Sequence, residues 1–284
     1  RDYILRWDLT RNLKFDFNAT NNSRIDEPYG RIDTKPKRDT VWRNLLKGGR
    51  NTLYNQTANF SYTLPTAKFP LLDWTTINLK YQANYKWIGA SRLAVELGNI
   101  LENSQTQEAT AQLDFTKLYS KLKFFRAIEQ PRTKQNTKVK TTRTDTVFRY
   151  VTKNGVRTKQ VKRLKTKKIN NPNSLPNVGT VGRIFGKLIT SVKQVSGSIS
   201  ENANTSLPGY MDSTKAVGQN WNSNQPGLGF IMGNQPDTNW LNNAARKGLI
   251  SKDSNFNLMF QQSFDQKLTF TATLEPVRDL NITV

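Results

Sequence analysis

Apolar and polar residues alternate with period two along much of the chain, the pattern of a strand with one apolar and one polar face. Tyr3, Leu5, Trp7 and Leu9 share one parity around Arg6 and Asp8. After the polar break Thr10-Arg11-Asn12, Leu13, Phe15, Phe17 and Ala19 alternate with Lys14, Asp16 and Asn18. Two such runs joined by a short break predict a hairpin. Ala58, Phe60, Tyr62 and Leu64 form another run, ended by Pro65. Ile77, Leu79, Tyr81, Ala83, Tyr85 and Trp87 follow, set against Asn78, Lys80, Gln82, Asn84 and Lys86. Ala109, Ala111, Leu113 and Phe115 are a weaker case, and Val195, Gly197 and Ile199 mark one more. The longest run keeps one parity from Phe256 through Leu258, Phe260, Gln262, Phe264, Gln266, Leu268, Phe270 and Ala272 to Leu274. A membrane-crossing strand needs roughly 9–11 residues. This run is therefore expected to extend beyond a bilayer or to break near Gln262.

The segments between the runs carry turn and helix signals. Phe69-Pro70-Leu71-Leu72-Asp73-Trp74 and Glu275-Pro276-Val277-Arg278-Asp279-Leu280 both place Pro three residues before Asp, a tight-turn pattern. Short amphipathic helices are predicted after Asp39 (Val41, Trp42, Leu45, Leu46, closed by Gly48-Gly49) and after Thr116 (Leu118, Tyr119, Leu122, Phe125). Two more follow Thr180 (Val181, Ile184, Phe185, Leu188, Ile189) and Asp237 (Trp240, Leu241, Ala244, Ala245). They are expected to cover strand ends or to fold into loops, since such short helices need packing. Residues 200–236, rich in Asn, Ser, Gly and Pro, predict a long structured loop that reaches to about 255. Residues 130–178 lack sustained periodicity, apart from a hairpin signal at Val147–Val156 around Lys153-Asn154-Gly155. The chain thus divides into strands with helical insertions at 1–129, a basic loop or insertion at 130–178, and further strands at 179–284. Alternation continues to both ends, as expected of an internal stretch of something longer.

Composition narrows the classes. Hydrophobic residues are 36% of the 284, below the roughly 45–50% of soluble domains, yet aromatics reach 10%. That combination suits strands apolar on one side only. No run of about 18 apolar residues offers a transmembrane helix, and barrel strands give a weaker signal than that test detects. There is no cysteine and no histidine. A disulfide framework, thiolate or imidazole zinc ligation and a Ser-His-Asp triad are therefore excluded.

The net charge is +22, and residues 132–168 carry +13 of it, with 14 Lys or Arg against Asp145. Such density invites phosphate binding. Only Phe148 and Tyr150 could stack on bases there, and no nucleic-acid-binding signature accompanies them. A solvated or lipid-contacting loop is the expectation, with no nucleic-acid partner. Asp8, Asp16, Glu96, Glu102, Asp114, Asp265 and Glu275 are scattered, and no spacing pairs them as acid and base. Gly227-Leu228-Gly229 and Gly48-Gly49 lack a nucleotide-loop context. No enzymatic activity and no cofactor are expected. Trp7, Trp74 and Trp87, with Tyr3 and Tyr85, fall near strand ends. They suit an aromatic girdle at a membrane interface, or else the core of a sandwich.

Several segments, in order, resemble the SprA/Sov family. They are Arg1-Asp2-Tyr3, Trp7-Asp8-Leu9-Thr10-Arg11, Phe17-Asn18-Ala19-Thr20-Asn21 and Arg24-Ile25-Asp26-Glu27-Pro28. Then come Phe69-Pro70-Leu71-Leu72-Asp73-Trp74-Thr75, Leu97-Gly98-Asn99, Glu102-Asn103-Ser104, Gln112-Leu113 and Leu118-Tyr119. After the basic run follow Leu207-Pro208-Gly209-Tyr210, Pro226-Gly227-Leu228-Gly229-Phe230 with Gly233, Trp240-Leu241, and Thr273-Leu274-Glu275-Pro276. The likeness spans most of the chain and is poorest at 130–178.

The resemblance implies a segment of a very large transmembrane antiparallel β-barrel, all-β, with short helices and long loops between strands. It implies an outer-membrane location and the translocon of type IX secretion, associated with gliding motility. Implied partners are folded cargo proteins with a C-terminal targeting domain, a PorV-like shuttle barrel, a periplasmic plug protein, a peptidyl-prolyl isomerase and outer-membrane lipids. On this footing Leu13, Phe15, Phe17, Leu79, Tyr81, Tyr85, Leu268 and Phe270 are expected to face lipid. Lys14, Asn18, Asn78, Lys80, Gln82, Asn84, Thr269 and Thr271 are expected to face the lumen, and Trp7, Trp74 and Trp87 to form the girdle. The rival readings are another outer-membrane barrel, such as a transporter or a lipopolysaccharide-insertion protein, and a soluble basic β-protein that binds nucleic acid.

Overall fold

The computed structural model describes residues 1–129, 146–163, 178–277 and 280–284. Residues 132–145 and 164–168 of the basic run, and the Arg278-Asp279 turn, lie outside the described residues. The strands are β1 (Asp2–Asp8), β2 (Leu13–Arg24), β3 (Arg50–Thr63), β4 (Thr75–Ile88), β5 (Asn99–Asp114), β6 (Thr146–Lys153), β7 (Val156–Arg163), β8 (Val192–Tyr210), β9 (Gln261–Val277) and β10 (Leu280–Thr283). The described helices are α1 (Lys35–Leu46), α2 (Phe115–Lys121), α3 (Lys123–Glu129), α4 (Thr180–Thr190), α5 (Leu228–Ile231), α6 (Thr238–Arg246) and α7 (Ser254–Met259). Eight strands form one antiparallel sheet in the order β1-β2-β3-β4-β5-β8-β9-β10, and among the described residues β6 pairs with β7 alone. The chain is mostly β, as the alternation predicts, and the eight-stranded sheet is open rather than closed on itself. Two compact units can be distinguished: Arg1–Leu113 with Ser196–Thr271, and Asp114–Val195 with Ala272–Val284.

In the first unit the expected hairpin is present, with register from Asp2↔Thr20 to Asp8↔Lys14. The β2–β3, β3–β4 and β4–β5 ladders run almost unbroken, with one shift between Asn22 and Ser23. This register sets Phe15 beside Phe60 and Phe60 beside Tyr81, with ring centroids 4.6 and 6.3 Å apart. Such neighbouring aromatic pairs are what hold a register once one face is apolar. Between β8 and β9 the chain leaves the sheet and folds back over part of the apolar face. This return segment, residues 211–260, carries α5, α6 and α7. Ala19, Tyr54, Tyr85, Trp87, Leu101, Leu207 and Tyr210 of the sheet form one core with its Phe230 and Ile231. Phe17, Trp240, Leu241, Leu249 and Phe260 pack around them. Elsewhere, Arg50 ties down the β2–β3 excursion by donating to Asp26 Oδ2 at 2.8 Å, which holds that carboxyl below its usual value.

Several elements differ from expectation. β8 runs on to Tyr210, so residues 200–210 are strand rather than the start of a loop. Phe256 and Leu258 belong to α7, whose first turn is capped by the Asp253 carboxylate accepting from the Asn255 N–H, and β9 starts only at Gln261. β3 and β5 start well before their visible alternation, because Gln56, Asn103, Gln105 and Gln107 put polar side chains on the apolar parity. α1 begins at Lys35 with Pro36 in its first turn, ahead of Asp39. The helix placed after Thr116 is two helices, and Asp114 caps the first by accepting from the Lys117 N–H. Asp237 caps α6 as expected.

In the second unit, α3 and α4 pack on each other. The Tyr119 hydroxyl donates to the Ile189 carbonyl at 2.9 Å, and Lys193 pairs with Glu129 at 2.8 Å. β6 and β7 turn through Asn154-Gly155, both at positive φ (51° and 80°), the two-residue turn that Asn-Gly favours.

Candidate functional site

The feature with functional content is the sheet of the first unit, whose two faces differ completely. Along β2–β5 one parity is polar at nearly every position. Its side chains bond across the strands in rows: Thr57 Oγ1 donates to Asn84 Oδ1 (2.9 Å), and Asn84 Nδ2 donates to Ser104 Oγ (3.0 Å). Lys86 pairs with Glu102 at 2.9 Å and Lys80 with Glu108 at 3.3 Å. The rows continue onto the later strands, where Thr106 Oγ1 donates to Asn202 Oδ1 and Asn202 Nδ2 donates to Asp265 Oδ2, each at 2.9 Å. Asn55, Lys86, Glu102, Asn204 and Ser206 help line a depression of about 680 Å³. A wall of short amides, hydroxyls and paired charges can hydrogen-bond water everywhere and offers an unfolded or folded chain few apolar footholds.

The opposite parity divides along the strands into a covered and a bare part. Under the return segment lie Ala83, Tyr85 and Trp87 of β4 with Leu101 of β5, all buried. Polar side chains, the buried Asn103 among them, share that region and serve as anchors. Asn103 Nδ2 donates to the Phe230 and Asn234 carbonyls at 2.8 and 2.9 Å. Trp87 Nε1 donates to the Asp212 carbonyl (3.2 Å), and the Tyr81 hydroxyl donates to the Met232 carbonyl. Gln262 Nε2 reaches the Pro236 carbonyl at 2.9 Å. Further along, the cover stops. Leu79 is 41% exposed, Leu268 61% and Phe270 69%. Tyr62, Leu5 and Trp7 are exposed as well. The apolar stretch is Tyr3–Trp7 on β1, Leu13–Phe17 on β2, Ala58–Tyr62 on β3, Ile77–Tyr81 on β4 and Ala109–Ala111 on β5. It steps by two residues in the same direction from β1 to β2 and from β3 to β4, and stays in register from β2 to β3 and from β4 to β5.

The register sorts the β2–β4 residues by parity onto two faces, and on β9 the parity of Thr269 and Thr271 is that of Asp265, which bonds Asn202 in the polar rows. Leu13, Phe15, Phe17, Leu79, Tyr81, Tyr85, Leu268 and Phe270 share one face, and Lys14, Asn18, Asn78, Lys80, Gln82, Asn84, Thr269 and Thr271 the other. The exposed position expected for Tyr85 is corrected. It is 0% exposed, pressed by Gly218 and by the Phe230 ring 6.2 Å away. Trp87 is likewise core, at 3% exposed, rather than part of a girdle. Trp7 is exposed, and Trp74 is half-buried with its Nε1 donating to the Leu71 carbonyl at 2.7 Å. Sequence reasoning missed Gln56, Asn103 and Thr205, polar residues on the apolar parity. That interruption of the alternation was the one available signal that something other than hydrocarbon lies over this stretch.

No protein-family model matches the chain, and no curated protein is significantly similar to it.

Proposed function

We propose that this chain is a stretch of the wall of an outer-membrane β-barrel that conducts proteins, the translocon of type IX secretion implied by its resemblance to the SprA/Sov family. One observation carries the membrane part: a bare apolar stretch backed along β2–β5 by a face that is polar at nearly every position. A water-soluble sandwich would cover its apolar face along the full length of the strands. Here the chain covers only the part with polar anchors and leaves Leu79, Leu268 and Phe270 bare. The two-residue steps of the apolar stretch from β1 to β2 and from β3 to β4 run in one direction and support the same reading, because a level bilayer cuts tilted barrel strands at shifted positions. Among the described residues, β1 presents an unpaired edge of the kind that a further strand completes.

In this reading Leu13, Phe15, Leu79, Leu268 and Phe270 meet hydrocarbon. Phe17 and Tyr81 sit at the boundary, and the covered region with Tyr85 and Trp87 stands clear of the bilayer. Lys14, Asn18, Asn78, Lys80, Gln82, Asn84, Thr269 and Thr271 line the aqueous conduit. Its paired charges and amide rows let cargo pass without sticking, and no catalytic group is required. The shuttle barrel, plug and isomerase of the resembled family are the proposed partners.

Photo-crosslinking in secreting cells tests the assignment. A photoreactive residue at Asn84 or Thr106 is expected to capture cargo in transit, and one at Leu79 or Leu268 to capture lipid. Capture of cargo from Leu79 and not from Asn84 would reverse the faces. No cargo at either face would leave a barrel wall without the secretion role.

A further inference from the structure

Helix α4 is turned inside out for a helix in water. Val181, Ile184, Phe185, Leu188 and Ile189 recur at the spacing of a single helical stripe. That stripe would normally face the core. Instead all five are 53–69% exposed. The buried positions are Gly186 and Thr190. A Cβ at Gly186 would stand 2.1 Å from Ile128 Cδ1, so glycine is what lets α3 approach this side. The helix therefore docks on α3 by its small residues and holds its large apolar ones outward.

Charge identifies what meets that stripe. α4 carries Arg183 and Lys187 and no acid. Among its described side chains, the β6–β7 hairpin of the same unit carries Lys153, Arg157 and Lys159, again with no acid. On its exposed surface Lys159 Nζ lies 3.7 Å from the centre of the Phe148 ring, and Arg157 lies over Tyr150 at 5.6 Å. At eleven residues, about 16 Å long, α4 is too short to cross a bilayer and suited to lie along one.

We propose that the second unit docks on an anionic phospholipid surface, with the α4 stripe in the acyl–headgroup boundary and the hairpin cations on the phosphates. The assignment is separate from the reading of the sheet, because these residues belong to neither face of the first unit.

The chain has no cysteine, so single labels are clean. An environment-sensitive fluorophore on Leu188→Cys of the full chain is mixed with phosphatidylglycerol-containing vesicles or pure phosphatidylcholine vesicles. The expected result is a blue-shifted, several-fold brighter emission with the anionic vesicles, weaker with the neutral ones and reduced by salt. Adding Ile184→Asp should abolish it while the strand circular dichroism is unchanged, and Ile184→Asn serves if the aspartate variant fails to fold. A silent label at Leu188 alongside a responsive label at Phe270→Cys would overturn the inference and leave the sheet reading standing. Response at Leu188 with silence at Phe270 would do the reverse. An equal response to both lipids, or a shift without vesicles that grows with protein concentration, would also overturn it. The first result removes the role of the cations, and the second gives the stripe to another protein surface.

Discussion

Asn103 shows how one side chain can decide what covers a sheet. Its parity is that of Leu101, where lipid or a core would ask for an apolar residue, yet its amide donates to two carbonyls of the return segment. In hydrocarbon such a residue would be costly, and under a protein cover it is a fastener. Asn103→Leu is therefore expected to loosen the cover by about 1–3 kcal/mol. Hydrogen exchange at the Ile231, Gly233 and Asn234 amides should accelerate roughly tenfold to a hundredfold, with the β4–β5 ladder unchanged. Unchanged exchange at those three amides would mean that the cover is held by apolar packing alone. Trp87 makes the same point from the other side. From sequence, an indole near a strand end favours a girdle over a core, and its neighbours in space decide the matter. They are Asp212, 125 positions away, and the core around Tyr85. No local pattern encodes a partner so distant.

Among the elements, those with unbroken alternation were legible. The β1–β2 hairpin, β4 and the lower part of β9 follow directly from parity, and Asp237 announced α6 by its capping position. The illegible elements are those whose side chains answer to tertiary partners. The end of β8 reads as a loop because Thr205 breaks the apolar row and Pro208-Gly209 reads as a turn, but Gly209 at φ 77° ends a strand under the cover. Phe256 and Leu258 keep the parity of β9 and still fold as α7, since a helical turn capped by Asp253 can present the same residues. The return segment has its own constraint at Gly233, which combines φ 91° with a backbone approach that would put a Cβ 2.6 Å from the Ser104 carbonyl oxygen. Gly248, at φ 69°, has nothing within 4 Å of that position. Gly248→Ala should cost only the left-handed strain, about 1–2 kcal/mol. Gly233→Ala should cost more and expose residues 211–260 to protease. Equal costs by thermal unfolding would show that the close approach at Gly233 is not maintained in solution.

At the scale of the whole chain, fold class was legible because period-two patterning is a property of every strand. The partial cover was not, because it depends on where a loop of some fifty residues comes to rest. The basic excess behaves similarly. Sequence located it in one segment, while the outward stripe of α4 in the same unit emerged only from packing. The central claim is that each strand separates hydrocarbon from water below the cover. Single nitroxide labels on the cysteine-free chain, at Leu79 and Lys80 and again at Leu268 and Thr269, test it most directly in reconstituted outer-membrane lipid. The account predicts that oxygen relaxes Leu79 and Leu268 strongly, while a water-soluble nickel chelate relaxes Lys80 and Thr269. Chelate access at all four positions would contradict it.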